Sequence, residues 1–376
     1  MLAAGVVAQA SYAATGLGLP AIAPAIRRDF GLTLTQTGVV LAASFFGSVP
    51  TLLLWGIVAD LIGERLVMAV GLSAAAAALV WAGYASSFAM LVAALAVAGG
   101  VAAGVNSATG RAVMAWFAHD ERGLALGIRQ MAVPLGGALG AVALPLLESH
   151  VSLRAAFIAL ACASIVGAVV AFVLIRVEPT DDHSVLAHPL RDPRIWLICV
   201  GSMFFVTTQL SLLGFFVLFL HDHRNISTAV AAAALAVTQV LGGISRIALG
   251  RWSDHIGMRI ALLRWVGLGI AISVALATAL LDAPAWVVVP ALITAATFGL
   301  SWNGLSFTAT AETAGRARSG AAIGLQQTFL AVGGLVAPIG FAAVVHHTSW
   351  RLAFALAALS PLIGYALLSP LAERRP

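Results

Sequence analysis

Twelve apolar runs of about twenty residues or more, separated by short polar connections, leave this chain one solvent to fold in. The runs predict spans at 2–26, 35–58, 66–86, 88–116, 123–147, 153–176, 194–220, 227–249, 260–281, 284–311, 320–345 and 350–371. At 1.5 Å per residue such runs reach across a hydrocarbon layer about 30 Å thick. Of 376 residues, 61% are hydrophobic and 9% charged. Folded in water, such a chain would have no surface. This excludes an ordinary soluble enzyme, a nucleic-acid binder and a disordered chain. The net charge of +5 comes from arginines scattered singly, without the basic stripe that nucleic acid requires. Cys162 and Cys199 fall inside apolar runs and read as small core hydrophobes, and no metal-ligand spacing is present. The first run has no basic n-region and no small-residue cleavage site. It therefore reads as a retained span, with the possibility of an upstream start left open.

The longest connection, 177–193, divides the spans six and six. The expected units are residues 1–177, a linker at 178–193 and residues 194–376. One set of connections carries twelve arginines, among them Arg65, Arg122, Arg194, Arg251, Arg259 and Arg316. The other set carries five: Arg27, Arg28, Arg154, Arg224 and Arg351. The positive-inside rule puts the richer set, and both termini, in the cytoplasm of an inner membrane.

The second six spans copy the first at an offset near 197. Gly127-Ile-Arg129-Gln130 returns as Gly324-Leu-Gln326-Gln327, and Gly136-Gly137 as Gly333-Gly334. Ser152-Leu-Arg154-Ala-Ala-Phe157 returns as Ser349-Trp-Arg351-Leu-Ala-Phe354, and Asn106 as Asn303, a pair that reads as structural. Six is even, so both copies run the same way through the membrane. Parallel halves around a site near the midplane are a transporter architecture.

The most specific repeat is G-x-x-x-D-x-x-G-x-R. It occurs at Gly56, Asp60, Gly63 and Arg65, and again at Gly250, Asp254, Gly257 and Arg259, each time in the connection after the second span of its half. Gly56 and Gly250 are expected to admit close helix approach. Asp60 and Asp254 sit at the partially negative end of a helix, so each needs a donor, which Arg65 or Arg259 can supply. The motif resembles the signature of the major facilitator superfamily, and the resemblance covers essentially the whole chain. It implies an all-α membrane fold of twelve transmembrane helices in two pseudo-symmetric six-helix halves, working as a monomer. It also implies a latch, in which the motif aspartate meets a helix N-terminus from the other part of the bundle in one of two alternating states.

Among the arginines that fall within the apolar spans, Arg111, Arg129 and Arg246 stand out, the others having been counted with the connections at the span ends. A charge there costs at least about 2.5 kcal/mol, which makes each a functional candidate. Arg246 lies one helical turn before Gly250. Its surroundings, Gly242-Gly-Ile-Ser-Arg246-Ile-Ala-Leu-Gly250, resemble the eighth span of monocarboxylate, oxalate/formate and nitrate/nitrite carriers, where the resemblance implies contact with the substrate anion. A guanidinium offers a carboxylate a planar, always-charged fork of donors. The competing reading is a structural arginine that snorkels to the interface. Arg129 lies about 9 Å into the fifth span and reads as a second cavity cation. Arg111 reads as a gating residue or an interfacial anchor. The chain departs from these carriers in two places. Leu52 occupies the position of the nitrate/nitrite carriers' second-span arginine, and no lysine exists to match the oxalate/formate carriers' eleventh-span lysine. Val133-Pro134-Leu-Gly136-Gly137 is only partly similar to the fifth-span motif of drug/proton antiporters. Gln9, Ser11 and Tyr12 (span 1), Thr207, Thr208, Gln209 and Ser211 (span 7), Thr238 and Gln239 (span 8), Trp302 and Asn303 (span 10) and Gln326 (span 11) are the further polar candidates for a cavity wall, although helix–helix hydrogen bonds satisfy such groups equally well.

No paired carboxylates, histidine cluster or Ser/His/Asp set lies in the membrane, so no enzyme is expected, and no cofactor. The expected function is transport of a small organic anion by alternating access. With no carboxylate inside the spans, a counter-anion or a proton riding on the substrate is the expected coupling partner. The alternative is an exporter of amphipathic or drug-like compounds.

Overall fold

The computed structural model describes residues 2–105, 108–109, 122–175, 192–314 and 319–371. Among these residues the chain is helical, with no strand. The first span comprises α1a (Leu2–Gly18), a 3-10 turn (Leu19–Ile22) and α1b (Ala23–Asp29). The rest of the first half is α2 (Leu34–Ile62), α3 (Glu64–Gly83), α4 (Phe88–Ala102), α5 (Arg122–His150) and α6 (Leu153–Leu174). The second half is α7 (Pro193–Leu218, extended by a π turn to His223), α8 (Thr228–Ile256), α9 (Arg259–Ala279), α10a (Ala285–Ser301) with α10b (Asn303–Ala314), α11 (Ser319–His347) and α12 (Trp350–Leu368). Ten of these spans are long and apolar enough to cross a membrane. Helix α2 adds 29 residues with one charge, Asp60, and α4 adds 15 apolar residues, beyond which only 103–105 and 108–109 of the fourth span are described. The expected linker falls almost wholly within 176–191, also outside them.

Three expectations change. The first and tenth spans are not single helices. Pro20 and Pro24 start new helical segments within the first span, the first turn being where proline fits a helix without costing a hydrogen bond. The tenth is interrupted at Trp302. The motif, expected in a connection, begins inside the helix in both copies: α2 runs to Ile62 and α8 to Ile256.

The packing obeys the repeat. Helix α1a lies on α5 as α7 lies on α11, α2 on α4 as α8 on α10a, and α3 on α6 as α9 on α12. The halves meet along two equivalent seams, α2 with α11 and α5 with α8. Small residues make these approaches possible. A methyl on Gly140 of α5 would come within 2.8 Å of the Gly18 Cα, so only hydrogen fits there.

At the distal end of the bundle, where α1b, α5 and α7 finish, the halves are closed on one another. Arg27 of α1b pairs with Asp222 after α7, and the 3-10 turn is wholly buried against α5 and α7. Within the first half, Arg28 bonds Glu148 at the end of α5, 2.9 Å away.

Candidate functional site

A cavity of about 150 Å³ lies between the halves. Helix α1a contributes Gln9, Tyr12 and Thr15, α2 contributes Ser44 and Ser48, and α6 contributes Ser164. From α5 come Gln130 and Val133, from α7 Gln209, from α10b Asn303 and Phe307, and from α11 Gln327. The rest of the wall is mainly leucine, valine, alanine and phenylalanine. Arg246 of α8 is the one charged side chain among the described lining residues.

Arg246 is 3% exposed. Its Nε donates to the Leu300 carbonyl at 2.7 Å, just before the break between α10a and α10b. Its Nη1 crosses the seam and donates to the Gln130 carbonyl of α5 at 2.9 Å. Nη2 is buried without a partner. The guanidinium therefore joins the two halves and keeps one donor in reserve, in a wall with no described carboxylate to balance it.

The other expected residues sort into two groups. Gln9, Tyr12 and Gln209 line the cavity with Arg246, whereas Arg129, Gln239, Trp302 and Gln326 are buried but do not line it. Arg129 is buried, with Nε donating to Thr109 Oγ1 at 2.9 Å, and that hydroxyl meets Gln9 Oε1 at 3.0 Å. Gln326 makes the repeat-equivalent contact in the other half. Its Nε2 donates to Ser306 Oγ, and both residues lie 197 positions after Arg129 and Thr109. The next residues, Gln130 and Gln327, are also 197 apart, and both face the cavity. Trp302 is fully buried and donates Nε1 to Gln209 Oε1 at 3.1 Å, an oxygen that Asn303 Nδ2 shares at 3.0 Å. Gln239 is fully buried, with neither amide atom paired. The sequence reading did not single out Thr15, Ser44, Ser48, Ser164, Gln130 or Gln327 as lining residues. For the glutamines the available signal was adjacency, since each follows a buried partner by one position and so turns about 100° around its helix.

The second motif copy forms an ion network at the end of α8. Arg259 pairs with Asp254, bonds Ser253 Oγ and reaches Glu312 of α10b at 3.3 Å. Gly257 has φ +66° and Gly63 has φ +80°, a backbone region that side chains other than glycine disfavour. Gly250 does not make the close approach expected of it, since a Cβ there would meet nothing within 4 Å. The tight contact on α8 falls at Gly242 instead, where a Cβ would lie 2.6 Å from Leu300 Cβ. In the first copy Arg65 stacks 4.2 Å over the Phe172 ring. The packing at Gly56 and the Asp60 side chain lie outside what the structure describes, as do Arg111 and Asn106.

Two parallel six-helix halves enclosing a largely apolar cavity with a few polar groups at their seam define a membrane transporter. The comparisons give its family. Residues 4–338 match the Major Facilitator Superfamily, and the chain belongs to it. It is similar to an uncharacterized MFS-type transporter of Mycobacterium tuberculosis, 35% identical over 372 residues, 95% of this chain and 83% of that protein. It is also similar to a protein of Cupriavidus necator named as a probable sulfoacetate transporter, at 26% identity over 93% of this chain and 87% of the other. Among solved structures it superposes on a bacterial homologue of the human lysosomal transporter Spinster, described as inward-facing and occupied. The TM-score is 0.81 at 16% identity, covering 98% of this chain and 95% of that one, a likeness of fold.

Proposed function

We propose that this transporter carries a small organic anion, a monocarboxylate or similar acid, with Arg246 as the contact for the anionic group. The observation that carries the reading is the buried Arg246 guanidinium, the one charge among the described residues of the cavity wall. An unbalanced cation in so apolar a place is costly until a counter-charge arrives, and a substrate anion is the counter-charge that can come and go. The cavity volume suits this class, since an apolar cavity of about 150 Å³ in another protein takes up benzene. A relative named for sulfoacetate points to the same chemistry. In this reading residues 1–177 and 194–376 rock about the seam as the two halves, joined by 178–193. The arginine excess sets the termini in the cytoplasm of an inner membrane, and the sealed distal end faces outward. A counter-anion, or a proton carried on the substrate, accompanies the cycle of a monomeric carrier.

The test is a thermal-shift screen of the purified protein with acetate, lactate, sulfoacetate, nitrate and lipophilic cations, beside Arg246→Ala. A ligand of the folded state raises the unfolding midpoint. A rise with one of the acids, absent in Arg246→Ala, is expected. A rise with lipophilic cations alone would overturn the anion reading and favour the exporter.

A further inference from the structure

The Gln130 carbonyl is available to Arg246 for a reason written into α5. In an α-helix that carbonyl would accept from the N–H four residues on, and four residues on is Pro134, which has none. Pro134 also lies against the opposite helix. A Cβ on Gly243 of α8 would be 3.4 Å from Pro134 Cγ. Along this seam Gln130 meets Arg246, Pro134 meets Gly243, and Gly137 meets Gln239.

We propose that Pro134 is a positioning residue for Arg246: by leaving the Gln130 carbonyl without its helical donor, it fixes the guanidinium across the seam between α5 and α8. The proline thereby makes the cavity's one described charge also a tie between the halves, so that the group meeting the substrate and the group joining the halves are the same. The transport consequence rests on the anion reading above. The tie does not.

A double-mutant cycle with Pro134→Ala and Arg246→Lys tests it, because lysine keeps the charge but lacks the planar fork. The first readout is the unfolding midpoint of the ligand-free protein. Alanine restores the helix bond and improves helix propensity in either background. The expected result is that Pro134→Ala is less favourable with Arg246 present than in the Arg246→Lys background. Equal shifts in both backgrounds overturn the proposal, since a purely local effect of the proline adds independently. The second readout is sulfoacetate uptake into liposomes. Pro134→Ala is expected to raise KM about tenfold with Arg246 present, the weight of one charge-assisted hydrogen bond, and to leave KM unchanged in the Arg246→Lys background. A fall in Vmax alone, or rises in KM that multiply, overturn it. If the wild type takes up no sulfoacetate, the substrate reading fails for that probe, and the midpoint cycle still decides the tie.

Discussion

Gln239 and Gln209 are the same residue type in opposite situations. The Gln209 Oε1 atom receives both Trp302 and Asn303, while the Gln239 amide lies fully buried against Gly137 with neither atom bonded. An unmade hydrogen bond in the interior costs about 1–3 kcal/mol per group, whereas an apolar group of similar shape removes that cost. Gln239→Leu should therefore raise the unfolding midpoint of the ligand-free protein, and Gln209→Leu, which strands two donors, should lower it. A lower midpoint for Gln239→Leu would mean that a bound water or solute satisfies the amide. Residue chemistry of this kind was legible in the sequence, but its direction was not. Gln326 and Gln327 are neighbours of one type, and only the fold shows that the first bonds Ser306 and the second faces the cavity. Nothing in a polar residue's identity tells cavity from packing.

At the level of helices the repeat was readable because it repeats physical tasks. Ser152 and Ser349 each cap a helix, accepting from the backbone N–H three residues on at 3.1 and 3.2 Å. Arg154 and Arg351 each hold the end of a neighbouring element, the first through the Gly83 carbonyl at the end of α3 and the second through Asp282 in the turn after α9. Phe157 and Phe354 are each 1% exposed beneath. Ser152→Ala and Ser349→Ala should each cost about 1 kcal/mol, seen as similar drops in midpoint. Strongly unequal drops would show that the copies no longer share the task. The helix breaks were harder to read. Pro20 was visible, but a proline in a membrane span can be kinked, capped or absorbed. Nothing about Trp302 announces the interruption of the tenth span. Face assignments were harder still. Lipid is as apolar as the core, so a helix such as α2 or α11 shows no stripe to separate lipid from neighbour.

The molecule as a whole is sealed at its distal end, and the seal depends on glycine as much as on charge. The Arg27–Asp222 pair joins the halves there, but both side chains are partly exposed, and such a pair contributes about 1 kcal/mol or less. The α2–α11 seam is more exacting. A Cβ on Gly38 would stand 2.6 Å from the Pro338 carbonyl oxygen and 2.9 Å from Ala342 Cβ. The obstruction is backbone, which cannot rotate aside. A valine at this position leaves each half intact, because the clash lies between α2 of one and α11 of the other. It forbids only the closed arrangement, so the population must move toward distal opening. Gly38→Val should therefore admit reagents from the distal side to the cavity-lining Ser44. With Cys162→Ser and Cys199→Ala removing the native thiols, Ser44→Cys can be labelled by a membrane-impermeant maleimide added outside intact cells. The expected result is a several-fold rise in labelling with Gly38→Val, together with loss of net transport. Unchanged labelling would mean that the α2–α11 contact is not what shuts this end, leaving closure to the turn at Leu19–Ile22 and the ion pair beside it.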